Sequence, residues 1–245
     1  MAIQFWKDMS ILVDDIELAG NAKVFNLSTE VAQLDTTSLA STGWVSSIGG
    51  NKSGTVSLEF MQDPAALGVD ATLWPLLGTA GTVKSICTNS ADGSPAYLLK
   101  SIPLSYTPVS GAVGELAMGM ISGSSSTGPV VRGTLIHPSN VSRTSSTTGT
   151  GRQLGAVVAG KSMYAALHVI SASGSSPTLD VIVQSDDNSG FTTPTTRITF
   201  TQATGRTSQM SSVAGAITDD YWRVSYTIGG TGTPTFAFAV TAGII

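Results

Sequence analysis

The chain has only two histidines for acid–base or metal chemistry, and neither has the neighbours such chemistry needs. His137 precedes Pro138 where a strand pattern ends, and His168 lies inside the strand-like run Tyr164-Ala165-Ala166-Leu167-His168-Val169. A catalytic imidazole works on a nucleophile and is oriented by a carboxylate. No such pair stands beside either ring in sequence, so both read as structural. A nucleophile elbow, a phosphate-binding loop and an H-E-x-x-H pair are all missing. The run Ser185-Asp186-Asp187-Asn188-Ser189-Gly190 echoes an acidic calcium loop. It lacks the alternating ligand spacing and the later bidentate glutamate, and reads instead as a turn in which Asp and Asn bond the backbone and Gly190 takes positive φ. Asp219-Asp220, ahead of Tyr221, reads the same way. Cys87 is the single cysteine, which rules out an intrachain disulfide or a multi-cysteine metal site and is consistent with synthesis in a reducing compartment. The residues therefore supply no catalytic, cofactor-binding or metal-ligating set, and the chain is expected not to be an enzyme.

Charge is scarce. Only 11% of the 245 residues are charged, against about 25% in an average soluble domain. Few ions must lose water when such a surface is covered, which suits a protein packed against copies of itself. Residues 1–140 hold 6 Lys/Arg and 11 Asp/Glu, net −5, and residues 141–245 hold 6 and 5, net +1. With no basic cluster, tight binding to nucleic acid is not expected, because that affinity comes from cations neutralising phosphates. The start of the chain, Met1-Ala2-Ile3-Gln4-Phe5-Trp6-Lys7-Asp8, lacks the basic end and apolar run of a secretory signal. No segment has the ~18 uninterrupted apolar residues of a membrane span. A cytoplasmically made protein without a membrane partner is expected.

The elements that must position any site are strands. In Lys23–Val31, Phe25, Leu27 and Val31 share one face while Asn26, Ser28 and Glu30 share the other, and Thr55–Phe60 repeats the pattern. Asp63 as a cap, Pro64 behind it and an apolar run to Trp74 predict one helix. Further strands are predicted over 82–87, 96–104, 113–122, 130–136, 163–171, 179–184, 197–202, 221–228 and 235–241. Gly174-Ser175 and Gly229-Gly230 mark turns among the later ones. Ser139–Gly151 is so rich in Ser, Thr and Gly that it reads as a flexible linker. The expected division is residues 1–138, a linker at 139–151, and residues 152–245 as a second antiparallel β-sandwich or jelly roll. Between the first two strands, Asp35–Gly54 reads as a long loop that carries Leu39, Trp44, Val45 and Ile48, apolar groups of no use to a loop meant only for water.

The run Ile16-Glu17-Leu18-Ala19-Gly20, the strand through Asn26–Val31, Leu34-Asp35-Thr36-Thr37 and Gly54–Pro64, in that order and spacing, resemble the tail tube (major tail) proteins of long-tailed bacteriophages. The resemblance covers roughly residues 8–136. It implies a β-sandwich with one flanking helix whose inner sheets join across subunits into a barrel, usually as hexameric rings stacked into a tube through which DNA passes without tight binding. It implies a virion location, partnership with itself and with other tail proteins, and a ring-stacking role for the loop with Leu39, Trp44, Val45 and Ile48. Residues 155–170 and 178–201 are similar to C-terminal β domains appended to some of these proteins, outer decorations that assembly would not need. A second reading is a carbohydrate-binding or adhesion module with Tyr164, Tyr221, Trp222 and Tyr226 stacking on sugar. The alternation around Trp222 and Tyr226 favours a core position for both.

Overall fold

The computed structural model describes residues 8–38, 43–65 and 68–245. The protein is mainly β and antiparallel, as expected. The first half holds β1 (Ser10–Val13), β2 (Ile16–Glu17), β3 (Ala22–Asp35), β4 (Ser47–Met61), the short helix α1 (Val69–Leu73) with a 3-10 turn at Trp74–Leu76, β5 (Thr82–Cys87), β6 (Pro95–Ser110), β7 (Met118–Ser125) and β8 (Val131–His137). The second holds β9 (Thr147–Thr148), β10 (Arg152–Gln153), β11 (Ser162–Asp186), β12 (Thr195–Thr199), β13 (Thr207–Ala214) and β14 (Tyr221–Ile244).

Alternation decides which face is core. Along β4, Val56, Leu58 and Phe60 are buried while Thr55 and Glu59 are exposed, because successive side chains leave a strand on opposite faces. β3, β4, β7 and the far end of β6 make one layer, and β1 and β5 pair in the other. Ile11, Val13, Leu18, Leu58, Phe60 and Ile121 fill the space between, joined by Val69 and Leu73 from α1. The second half builds its own core from β11 and β14, which pair along nearly their whole lengths, with Trp222, Phe236 and Phe238 at its centre.

Four expectations change. The helix is short, starts at Val69 and has Gly68 rather than Asp63 as its cap. Asp63 instead accepts the Ala65 N–H at 3.0 Å, and a side chain at Gly68 would lie 2.7 Å from the Asp63 carbonyl, so the chain turns too tightly there for an earlier helical start. Residues 66 and 67 lie outside the described residues. The glycines read as turns at 174 and 229–230 are bends within continuous strands, with positive φ at Gly174, Ser176, Gly230, Gly232 and Thr233 and register shifts alongside. β13, not anticipated, pairs with β11. The Ser/Thr/Gly segment is a strap rather than a flexible spacer. Arg143 and Phe236 exchange backbone bonds at 2.7 and 2.9 Å, the Gly149 N–H donates to the Val224 carbonyl at 2.7 Å, and β9 and β10 pair with β14. The edge of β14 beyond its contact with β8 offers unpaired backbone groups, and the passing chain satisfies them.

The halves also share a seam. β8 pairs with β14, and Leu12, Cys87, Ala96 and Leu135 cluster with Ala239, as Val83, Leu98 and Val131 do with Ala166. We retain residues 1–138 and 152–245 as the proposed domains because each has a core of its own, but the contact between them is apolar and close.

Lys84 is out of place in this core. It is 2% exposed, lies among Ile11, Val13, Phe25 and Leu58, and burial lowers its pKa to about 8. A lysine whose folded pKa lies below its ordinary 10.5 destabilises the fold as pH falls from 10.5 toward 8, and carries the full cost at neutrality. Lys84→Met should therefore raise unfolding stability at pH 7 by roughly 2 kcal/mol in urea titration. An unchanged or lower midpoint would mean the ammonium has compensating partners.

Candidate functional surfaces

The β3–β4 hairpin reaches beyond the body of the protein. Its pairing runs out to Asp35 opposite Ser47, whereas β7 flanks β4 only from Thr55 to Met61, so the outer part is a two-stranded ribbon. Of the long loop read from the sequence, Asp35 and Ser47–Gly54 are thus strand. Its end is tied: the Thr36 N–H donates to the Ser46 carbonyl at 2.8 Å, the Ser46 N–H to the Thr37 hydroxyl at 3.0 Å, and the Thr37 N–H to Asp35 at 2.8 Å. Those bonds from Thr37 hold the Asp35 carboxyl below its ordinary range. On this ribbon Trp44 is 84% exposed, Val45 75% and Ile48 57%, with Val31 and Leu34 half-exposed beside them. Leu39 lies outside the described residues. A contiguous exposed apolar group of this kind marks an interaction surface.

The outward face of the same layer is polar. Asn26 stands opposite Ser57 and Ser57 opposite Ser122, while Ser28 stands opposite Thr55 and Thr55 opposite Ser124. Ser28 and Thr55 share a hydrogen bond of 2.6 Å. Glu30 and Glu59 lie in the same rows, opposite Ser53 and Val24. This row of residues contains hydroxyls, an amide and two carboxylates, with no cation among them.

Two features were not visible in the sequence. The β6–β7 hairpin ends in a second exposed apolar tip, with Val109 at 69%, Val113 at 108% and Leu116 at 62% exposure. The sequence reads 113–122 as strand, but β7 begins only at Met118. Beside the start of β3, an open cleft of about 490 Å³ is lined by Met9, Ile11, Ala22, Lys23, Val24 and Phe25.

Chemistry-bearing groups resolve as structure. The fold brings Ser85 to 2.9 Å from His168 Nε2, a serine–histidine pair with no sequence proximity. His168 Nδ1–H donates to the Asp14 carbonyl at 2.7 Å, and Ser85 in turn bonds Thr241 at 2.8 Å. Ser85, His168 and Thr241 are fully buried, so no substrate can reach them, and the ring's orienting partner is a carbonyl rather than a carboxylate. His137 stacks on Phe238 at 4.2 Å, meets Tyr226 edge-on at 5.3 Å and contacts the Phe238 carbonyl through Nδ1 at 3.2 Å. In the Ser185–Gly190 run, both oxygens of Asp186 accept backbone N–H groups, from Asn188 and Thr193, and positive φ falls on Phe191 rather than Gly190. Asp219 is held by Ser185 and Arg197, whose bonds keep its carboxyl below the usual range. Among the described residues no group of three or more His, Cys, Asp or Glu could hold a metal ion, and no helix is long and apolar enough to cross a membrane. The sugar-stacking aromatics are not presented together. Trp222 is buried with its indole N–H on the Gly155 carbonyl, Tyr226 is buried against Phe238, and Tyr164 packs into the seam.

Burial drives both histidine pKa values down to about 4, helped at His137 by Arg143 and opposed there by the Phe238 carbonyl and Asp92, and opposed at His168 by the Asp14 carbonyl and Asp15. Their folded values lie below the ordinary 6.5, so their contribution is complete above pH 6.5 and is lost as pH falls toward 4. Between pH 7.5 and 4.5 each should cost roughly 2 to 3 kcal/mol of stability. Urea unfolding at the two pH values measures this, with His137→Gln expected to flatten the slope. Equal slopes in both proteins would show that the ring is not held neutral.

No family model and no curated protein matches the chain. Among solved structures, it is similar to a chain in the virion of a native gene transfer agent particle, at 19% identity and TM-score 0.43, over 52% of this chain and 97% of that one. It is similar to a chain of an extracellular contractile injection system sheath–tube complex in the extended state, at 13% identity and TM-score 0.40, over 54% and 90%. It is also similar to the Dit protein of phage SPP1, described as a paradigm of the hub adsorption apparatus in phages infecting Gram-positive bacteria, at 8% identity and TM-score 0.36, over 98% and 100%. At these TM-scores the likenesses carry no functional argument, and the case for function stands on this chain's own surfaces.

Proposed function

We propose that this chain is a structural virion protein, the protomer of a bacteriophage tail tube, which assembles into stacked hexameric rings enclosing a conduit for DNA. The observation that carries the reading is the β3–β4 ribbon, which holds Trp44, Val45 and Ile48 in water on a tied turn. A solitary protein gains nothing from that exposure, while a stacked one buries it. The cation-free rows of Asn26, Ser28, Glu30, Thr55, Ser57 and Glu59 on the outward face of the β3–β4–β7–β6 layer support the same reading. A polyanion passing such a wall finds hydroxyls and two carboxylates rather than the Lys and Arg that would retain it.

Negative-stain electron microscopy of the purified, concentrated protein tests the proposal, with sedimentation alongside. Rings and tubes whose length grows with concentration are expected. A chain that stays monomeric across concentration and ionic strength, and in the presence of other tail proteins, would overturn it.

A further inference from the structure

We propose that neighbouring copies meet side by side through a socket: the β6–β7 tip of one copy, with Val113, Glu115 and Leu116, seats in the cleft beside the start of β3 of the next, and Glu115 pairs with Lys23. The contact rests on the self-assembly reading and specifies how one ring closes.

Register places the two parts. Across the β3–β4–β7–β6 layer, Ala22 stands opposite Phe60, Phe60 opposite Gly119, and Met118 opposite Ser110. The start of β3 and the end of β6 therefore lie at the same height on opposite margins of the layer. Both margins are open among the described residues. β3 pairs only with β4, and β6 beyond Ser101 pairs only with β7, while the Gly78 N–H donates to the Pro103 carbonyl and the Gln62 side-chain amide to the Pro108 carbonyl. β3 and β6 also run in opposite directions, because three antiparallel pairings separate them. Extending the layer from one copy to the next thus brings β6 antiparallel to the neighbour's β3, the arrangement sheet pairing favours, and sets residues 106–110 level with the neighbour's residues 22–25, with the 111–117 tip at the end of that run beside residue 22. Such a head-to-tail contact generates a ring when its rotation closes.

Chemistry matches placement. The tip offers two exposed aliphatic side chains and one carboxylate, the cleft offers Met9, Ile11, Val24 and Phe25 with one ammonium. Among the described residues Lys23 makes no salt bridge, and Glu115 accepts a local bond from the Ala112 N–H at 3.2 Å.

Two variants of the full chain, Lys23→Cys and Glu115→Cys, are mixed, assembled and oxidised. Cys87 is buried, its thiol pushed up to about 12, and does not compete. The mixture is expected to give a disulfide-linked dimer, and the chain carrying both changes a ladder of higher species, with neither single variant crosslinking alone. In parallel, Glu115→Lys and Lys23→Glu should each raise the concentration needed for assembly about tenfold, and the combined reversal should restore it. Both sites are exposed, so the thermal melt of the dilute chain should not move and a folding defect is recognised separately. Tubes that form normally with either single charge reversal, or without the mixed crosslink, overturn the socket and leave the tube reading standing. Absence of wild-type assembly overturns both.

Discussion

Truncation after Gly151 should yield a chain that does not fold stably on its own. Removing residues 152–245 takes Ala166 and Ala239 away from Leu12, Val83, Leu98, Val131 and Leu135, and takes β14 away from β8. Each of those five side chains is at most 4% exposed in the full chain. Re-exposing even half of their surface costs about 5 kcal/mol in total, comparable with the 5–15 kcal/mol by which whole domains are stable. This expectation opposes the sequence reading of the second half as decoration that assembly does not need. Circular dichroism melts and dye binding to exposed apolar surface measure the effect. A truncated chain that melts within a few degrees of the full protein, and still forms tubes, would show that the seam is energetically idle.

Trp44→Ala should leave the dilute chain's stability within about 0.5 kcal/mol of wild type, as for a surface substitution, and cripple assembly. At 84% exposure the indole has little contact to lose in the protomer. Burying it against another copy is worth about 2 to 3 kcal/mol, and losing that raises the concentration required per contact by roughly thirtyfold or more. Ring-to-ring contacts repeat around each junction, so tubes should be short or absent. Analytical ultracentrifugation and micrograph tube lengths read one side of the prediction, and thermal unfolding the other. A fall of several kcal/mol in protomer stability with normal tubes would return Trp44 to a core role.

The two arms can be told apart because their variants act in different directions. Trp44→Ala weakens contacts along the tube and should leave single rings intact, whereas Lys23→Glu or Glu115→Lys weakens closure of the ring itself. Rings without tubes in the first case and neither in the second would separate stacking from closure in one set of micrographs.

What the sequence by itself determined is local. The period of two in Thr55–Phe60 marked the buried face of β4, and the apolar residues of 35–54 marked a surface that water does not explain. The absence of a carboxylate or nucleophile beside either histidine pointed to structural rings. These features depend on neighbours along the chain, and backbone geometry converts them directly into faces. Tertiary structure decided the rest. Whether Gly174 and Gly230 ended strands or bent them depended on β11 and β14 pairing across dozens of residues. Whether the Ser/Thr/Gly segment was free or strapped depended on the unpaired edge of β14, which no local composition reports. The meeting of Ser85 with His168, and the shared height of residue 22 and residue 110 at opposite margins of one layer, follow from register summed over several strands. A hydrogen-bond ladder fixes such distances only once its long-range pairs have formed, and for that reason the socket could be located in the fold and not in the string of residues.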